Sequence, residues 1–218
     1  MTPLFSHVAR RRHRALAGAL LAAALLVPLS TAAVGGWSAW SGFADNLGKQ
    51  VATPSANLVG LKTVLSFRPS TRAEVLADDA RDDAFAPVRE ARQASFRQLL
   101  PAYAVLMGGL LYGLIRAAGR TREPWMLATL GVAVIPITTE LSGYYLSLLT
   151  VGALLHEEAP EVPVALLALA AAVHVLQLGV AAEDVRYACI SVLVVVFAAW
   201  LVWSRGTPPR PAAAGGAT

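Results

Sequence analysis

Charge and cysteine are both scarce in this sequence. Only 15% of the 218 residues are charged, against 56% hydrophobic, and the mean hydropathy is +0.56. That balance excludes an ordinary soluble domain and points to an integral membrane protein. The single cysteine, Cys189, excludes an internal disulfide and any cysteine-based metal site; lying in an apolar stretch, it reads as a small packing residue. Lysine occurs only as Lys49 and Lys62, and arginine supplies the rest of the 18 basic residues. This arginine bias and the abundant alanine are typical of high-GC bacterial genomes. The chain contains no CxxC, HExxH, Walker loop or GxSxG. A b-type haem would want two histidines at matched positions, whereas His156 sits at the end of an apolar run and His174 at the centre of one. No cofactor and no metal are expected.

What is there in quantity is apolar sequence. A span needs roughly 20 apolar residues, and five runs meet that criterion: 15–34, 99–117, 126–153, 163–181 and 187–204. The expected fold is therefore all-α, a polytopic transmembrane bundle of about five spans. Its parts are a basic end and signal-anchor span (1–34), a short, partly helical extracytoplasmic segment (35–98), a four-span bundle (99–204) and a disordered tail rich in Pro, Gly and Ala (205–218).

The net charge of +4 reflects membrane topology better than nucleic-acid binding, because Arg10, Arg11, Arg12 and Arg14 precede the first apolar run. If five spans alternate, these arginines share one side with Arg116, Arg120, Arg122 and Arg186. This predicts a bacterial inner-membrane protein with its N-terminus inside and its C-terminus outside. The acidic "AAEDVR" and the tail arginines Arg205 and Arg210 sit uneasily with that arrangement.

In the outer segment, Trp37, Trp40, Phe43 and Leu47 recur at helical spacing and continue the first helix as an interfacial stripe. Trp125, Trp200 and Trp203 are the matching anchors of other spans. Thr71 and Glu74 have capping-box spacing, which predicts a helix over "RAEVLADDARDD". A further helix from Val88 runs into the second span, kinked at Pro101. Arg89, Arg92 and Arg97 on it form a solvated face paired with Glu90, or contact lipid headgroups. The carboxylates of "DDARDD" (78–83) spread around a helix and read as a solvated acidic face rather than a metal site.

Chemistry has few places to sit. Gly109, Gly113 and Ala117 form a small-residue row for close helix packing. Glu140, in "IPITTELSGYY" (135–145), is an ionisable group deep in an apolar run, with Pro136 one turn before it. A carboxylate there must face the bundle interior. Thr138 and Thr139 can bond backbone groups released by Pro136. Depth alone proposes His174, Gln177, Tyr112 and Tyr144 as its partners in an intramembrane polar cluster. Such a cluster fixes helix register, or it accepts protons or binds substrate.

The stretches "FADNLGKQVATPSANLVGLKTVLSFRP" and "PWMLATLGVAVIPITTELSGYYLSLL" resemble the C-terminal part of larger polytopic proteins of high-GC bacteria. Their layout is similar to that of membrane glycosyltransferases of the GT-C class, in which an acid in the first outer loop serves the reaction. The resemblance implies Asp45 as that acid, with no second acid paired to it. Two functional classes follow: a non-enzymatic subunit or assembly partner of another membrane protein in the lipid bilayer, or a small lipid-linked transferase or transporter using Glu140 or Asp45. The lack of converging acids favours the first.

Small residues at Thr31 and Ala33 also fit a signal-peptidase site. The run is nonetheless long enough to span, so retention of the first helix is expected. Intact mass of the membrane-extracted chain checks it, and a mature form beginning at Val34 would refute it.

Overall fold

A computed structural model describes residues 3–52, 57–121 and 123–206. The protein is all-α, 82% helical with almost no strand. Among the described residues, four helices are long and apolar enough to cross a membrane: α1 (Pro3–Ala33), α6 (Leu100–Arg120), α8 (Glu161–Gly179) and α9 (Glu183–Gly206). Between α1 and α6 lie α2 (Trp37–Ala52), β1 (Leu58–Val59), α3 (Leu61–Ser66), a 3-10 turn (Pro69–Thr71), α4 (Ala73–Leu76) and α5 (Ala86–Gln98). After α6 come α7 (Pro124–Thr138), β2 (Leu141–Ser142) and a 3-10 helix (Gly143–His156).

The third apolar run is not one span, as its length suggested. It breaks after Thr138 into α7 and the 3-10 helix, which pack on each other as a hairpin. Pro136 cannot make the i to i−4 bond to the Val132 carbonyl and so weakens the last turn of α7, and Thr139 is already extended. The winding of the second arm has a sequence basis. Leu149, Gly152 and Leu155 are buried at intervals of three, while Tyr144, Ser147, Thr150 and Ala153 are exposed at the same interval. A period of three matches 3-10 geometry, in which residues three apart eclipse. The Ser147 and Thr150 hydroxyls donate back to the carbonyls three residues earlier, at 2.9 and 2.6 Å. Fourteen residues at ~2.0 Å each reach ~28 Å, close to the ~30 Å of a hydrocarbon core, where an α-helix would reach only ~21 Å.

Helix directions follow from named contacts. Near the start of α9, Tyr187 meets Gly143 and Ser191 meets Gly60; near its other end, Val202 and Trp203 meet Gly113 of α6. Residues 58–98, the turn at 139–142 and the α8–α9 connection therefore share one end of the bundle, the cap end. The α6–α7 and 3-10–α8 connections and the end of α9 lie at the other. Alternation of five spans would put Arg186 and the α8–α9 connection opposite residues 35–98, yet Asp184 pairs with Arg92. The extra hairpin arm reverses the parity.

The core is built on α9. Ile190, Val194, Phe197 and Leu201 pack with Leu130 and Ala133 of α7, Leu149 and Leu155 of the 3-10 helix and Val162 of α8. A second cluster joins Leu61, Leu110, Ile137 and Ala198. By contrast, α1 and α8 are mostly exposed, as suits helices facing lipid.

Other local expectations change for identifiable reasons. The Trp37 stripe does not continue α1: the chain turns at Gly35 and Gly36, both at positive φ, and α2 begins afresh. Thr71 accepts a hydrogen bond from Arg68 N (2.9 Å) and so closes its own turn, leaving α4 only four residues long with Arg72 at its N-cap. Pro101 starts α6 rather than kinking a longer helix, because the break falls at Leu99. Of the small-residue row, Gly113 and Ala117 are packed, while a Cβ at Gly109 would meet no neighbouring helix within 4 Å. Residues 207–218, read as a tail, lie outside the described residues.

Gly60 is where the cap is most closely fitted. A Cβ there would stand 2.8 Å from the Pro136 carbonyl oxygen and 3.0 Å from that of Thr139, both backbone atoms. Gly60→Ala is expected to lower stability by about 1–3 kcal/mol through overpacking, whereas Gly109→Ala should change it little. Thermal unfolding of the two variants in the same detergent checks the contrast.

Candidate functional site

The break in the third run delivers Glu140 to the cap end. Thr138 Oγ1 and Thr139 Oγ1 both donate to the Ile135 carbonyl, at 3.1 and 2.9 Å, and Thr139 N donates to it at 3.0 Å. The chain then runs extended, with Leu141 paired to Val59 and Ser142 to Leu58 in a short antiparallel ladder. Irregular backbone at membrane depth is tolerated only where protein satisfies it. Here β1 does so. Gly60 N is taken up by Ser191 Oγ (3.2 Å), which itself donates to the Tyr187 carbonyl (2.7 Å).

This ladder sets the first turn of α3 against Glu140. Lys62 Nζ lies 3.1 Å from Glu140 Oε2, with the lysine side chain 15% exposed and the glutamate 7%. Thr63 Oγ1 is 3.2 Å from Oε1 and 3.0 Å from the Leu58 carbonyl, so its one hydrogen is shared between them. The Lys62 ammonium also sits 5.5 Å from the Phe96 ring centroid, a cation–π distance.

A second buried pair stands at the same end. Arg92 of α5 and Asp184 of α9 are 1% and 4% exposed, with Nη2 to Oδ2 at 3.2 Å. Asp184 also accepts from Ala73 N (2.8 Å) and Val185 N (2.9 Å), while Arg92 Nε donates to the Thr71 carbonyl (3.4 Å). The Arg92 guanidinium lies 5.8 Å from the Phe67 ring centroid. Burial pushes the Arg92 pKa below its ordinary value, opposed by the negative charges of Asp184 and Glu140. Arg92 is thus neither solvated nor at the lipid surface. Arg89 instead pairs with Asp83, and the hydrogen bond holds the exposed Asp83 carboxyl below its usual range.

Glu140 is therefore partnered by Lys62 and Thr63, not by the four residues that depth suggested. Tyr144 is 70% exposed, its ring against Tyr145. Tyr112 lies on α6 near the opposite end, beside Arg116 and Trp203. His174 and Gln177 face a cavity between the 3-10 helix, α8 and α9. Asp45 is exposed on α2, a helix that meets α1 near the end of α1. Trp40 Nε1 donates to Thr31 Oγ1 (2.8 Å), tying α2 to the end of α1, whereas Trp37 is exposed. Trp125 opens α7, and Trp200 and Trp203 lie near the end of α9, all partly exposed. Among the described residues, no group of three or more His, Cys, Asp or Glu stands together.

The residues sequence reasoning missed are Lys62, Thr63, Arg92 and Asp184. One signal was available: Lys62 is a lone cation in "LVGLKTVLSF", complementary to the lone anion of the third run.

Fold and site together define a helical bundle of membrane type whose buried acids are closed by basic residues of a cap. Comparison with protein-family models, with curated proteins and with solved structures finds no match.

Breaking a buried pair by removing one partner typically costs about 3–5 kcal/mol. Arg92→Met is expected to destabilise by about that much, because it strands Asp184; adding Asp184→Asn should restore much of the loss. Glu140→Gln, which retains the Thr63 contact and removes only the negative charge facing Lys62, should be milder than Glu140→Lys. A double-mutant cycle by thermal unfolding in detergent measures these terms.

Proposed function

We propose that this chain is a multi-pass protein of a bacterial inner membrane that acts by association, as a non-enzymatic subunit or assembly partner of another membrane protein. The observation that carries the reading is the closure of Glu140 and Asp184 by Lys62 and Arg92. A buried acid held by a basic partner and hydrogen-bond donors fixes geometry; a transferase or transporter would want an acid presented to its substrate. Asp45, the alternative acid, is exposed on a helix away from these pairs. The large apolar faces of α1 and α8 also suit association within the bilayer.

The proposed orientation uses the parity of the bundle. Arg116 and Arg120 at the end of α6 and Arg205 at the end of α9 lie at the end opposite the cap. Basic residues in short flanks favour the cytoplasm. In this reading both termini are inside, α1 is a retained signal-anchor, and residues 35–98 are outside. The acidic "AAEDVR" then lies outside and the tail arginines inside, which removes the tension noted in the sequence.

Two measurements test the proposal. A fluorescent-protein fusion after Gly206 is expected to be active in the cytoplasm and an alkaline phosphatase fusion there inactive, with the reverse at residue 60; an active phosphatase at the tail would refute the parity. In a strain lacking the native copy, Asp45→Asn and Glu140→Gln should both restore any growth or envelope phenotype. Loss of the phenotype with normal membrane assembly would favour the transferase or transporter reading.

A further inference from the structure

The cavity between the 3-10 helix, α8 and the first turns of α9 has a volume of about 600 Å³. Small-molecule sites fall within roughly 300–1,000 Å³. Its two ends differ chemically. Toward the cap end it is bordered by Ser147, His174, Gln177 and Tyr187; toward the other end by Ala153, Pro163, Leu166 and Ala170. Helix α8 has 19 residues and reaches ~28 Å, so His174, five residues before its end, lies ~8 Å inside that end.

The polar groups have a definite character. The hydroxyls of Ser147 and Thr150 spend their hydrogens on backbone carbonyls. Among the described residues, the side chains of His174 and Gln177 and the Tyr187 hydroxyl donate to no protein group. An unsatisfied donor at membrane depth costs free energy. His174, Gln177 and Tyr187, donors from two helices grouped toward the cap end of an otherwise apolar cavity and within ~8 Å of the ends of α8 and α9, suit a ligand with hydrogen-bond acceptors at one end and hydrocarbon at the other. No charged side chain lines the cavity, so the acceptor it matches is uncharged.

We infer that this cavity holds one acyl chain of a membrane glycerolipid, with the ester carbonyls accepting hydrogen bonds from His174, Gln177 and Tyr187. The ester group of a bilayer lipid is an uncharged acceptor joined to a long hydrocarbon chain, and it sits just inside the membrane face. The headgroup stays outside the cavity, beyond the first turn of α9 where Arg186 lies. The inference requires only that the 3-10 helix and α8 lie at membrane depth, and it stands apart from the subunit role proposed above. A second protein helix is the other conceivable occupant, but ordinary helix backbones have no spare acceptors to offer three donors.

The test uses the full chain reconstituted in vesicles of phosphatidylethanolamine and phosphatidylglycerol, doped with a phospholipid carrying a photoreactive group on one acyl chain. After irradiation, labelled peptides are expected from Leu146–Ala153 and Leu166–Gln177, concentrated on cavity-lining positions. Ala170→Trp fills the cavity and should cut that labelling at least about fivefold, whereas Ala168→Trp, exposed on α8 but outside the cavity, should leave it intact. Diester lipid should compete with the probe about fivefold better than a diether lipid of the same chains, the equivalent of about one hydrogen bond. That preference should vanish in His174→Leu/Gln177→Leu, a substitution that makes the surface more apolar and leaves the packed core untouched. Labelling spread evenly over the outer face of α8, or unchanged in Ala170→Trp, would show ordinary bilayer contact and overturn the inference. If Ala170→Trp fails to assemble, equal competition by diester and diether lipid with the parent chain would overturn it instead.

Discussion

A carboxylate brought into an apolar bundle has to be matched, and the pairing of Glu140 with Lys62 is the match on which this architecture depends. The pair joins the first turn of α3, seventy-odd residues upstream, to the open end of a broken helix, at the point where the β1–β2 ladder and Gly60 also bring them together. Its net contribution to stability is small, because desolvating both charges consumes most of what their attraction returns. What it contributes is register. Once Lys62 faces Glu140, Leu58 and Val59 fall opposite Ser142 and Leu141, and Gly60 slots under the carbonyls of Pro136 and Thr139. A larger residue at position 60 or a different ladder offset would separate the charges.

Arg92 and Asp184 do for α5 and α9 what the first pair does for α3 and α7. Together they make residues 58–98 a lid built into the bundle rather than a domain beside it. Leu61 sits in the same cluster as Ile137 of α7 and as Leu110 and Ala198, which lie on two of the helices long and apolar enough to cross a membrane. A segment too short to form its own core has borrowed the core of the bundle.

How far this could be read in advance depended on which forces acted locally. Runs such as 99–117 and 187–204 announce α6 and α9 because twenty apolar residues can do little else in lipid. Of the small-residue row, Gly113 lies against Val202 and Trp203 of α9 and Ala117 is buried in the core, although Gly109 takes no part. The third run misled because hydropathy does not register a reversal: α7 and the 3-10 helix are as apolar as one continuous span. The clue was periodic rather than compositional, with Tyr144, Ser147 and Thr150 falling at every third residue. The partners of Glu140 were hidden because depth in a span ranks only residues in other spans, and Lys62 arrives on α3, a short helix between spans. The capping box at Thr71 was likewise a genuine spacing, but its hydroxyl found a nearer use.

The 3-10 arm has a mechanical consequence. Rewound as an α-helix, Gly143–His156 would shorten by ~7 Å, and each residue would turn back by about 20° relative to the one before it. The row of side chains that now runs straight along the arm would then coil around it. Length and facing are coupled in this segment as pitch and rotation are in a screw, so any pull along its axis is also a twist of its surface.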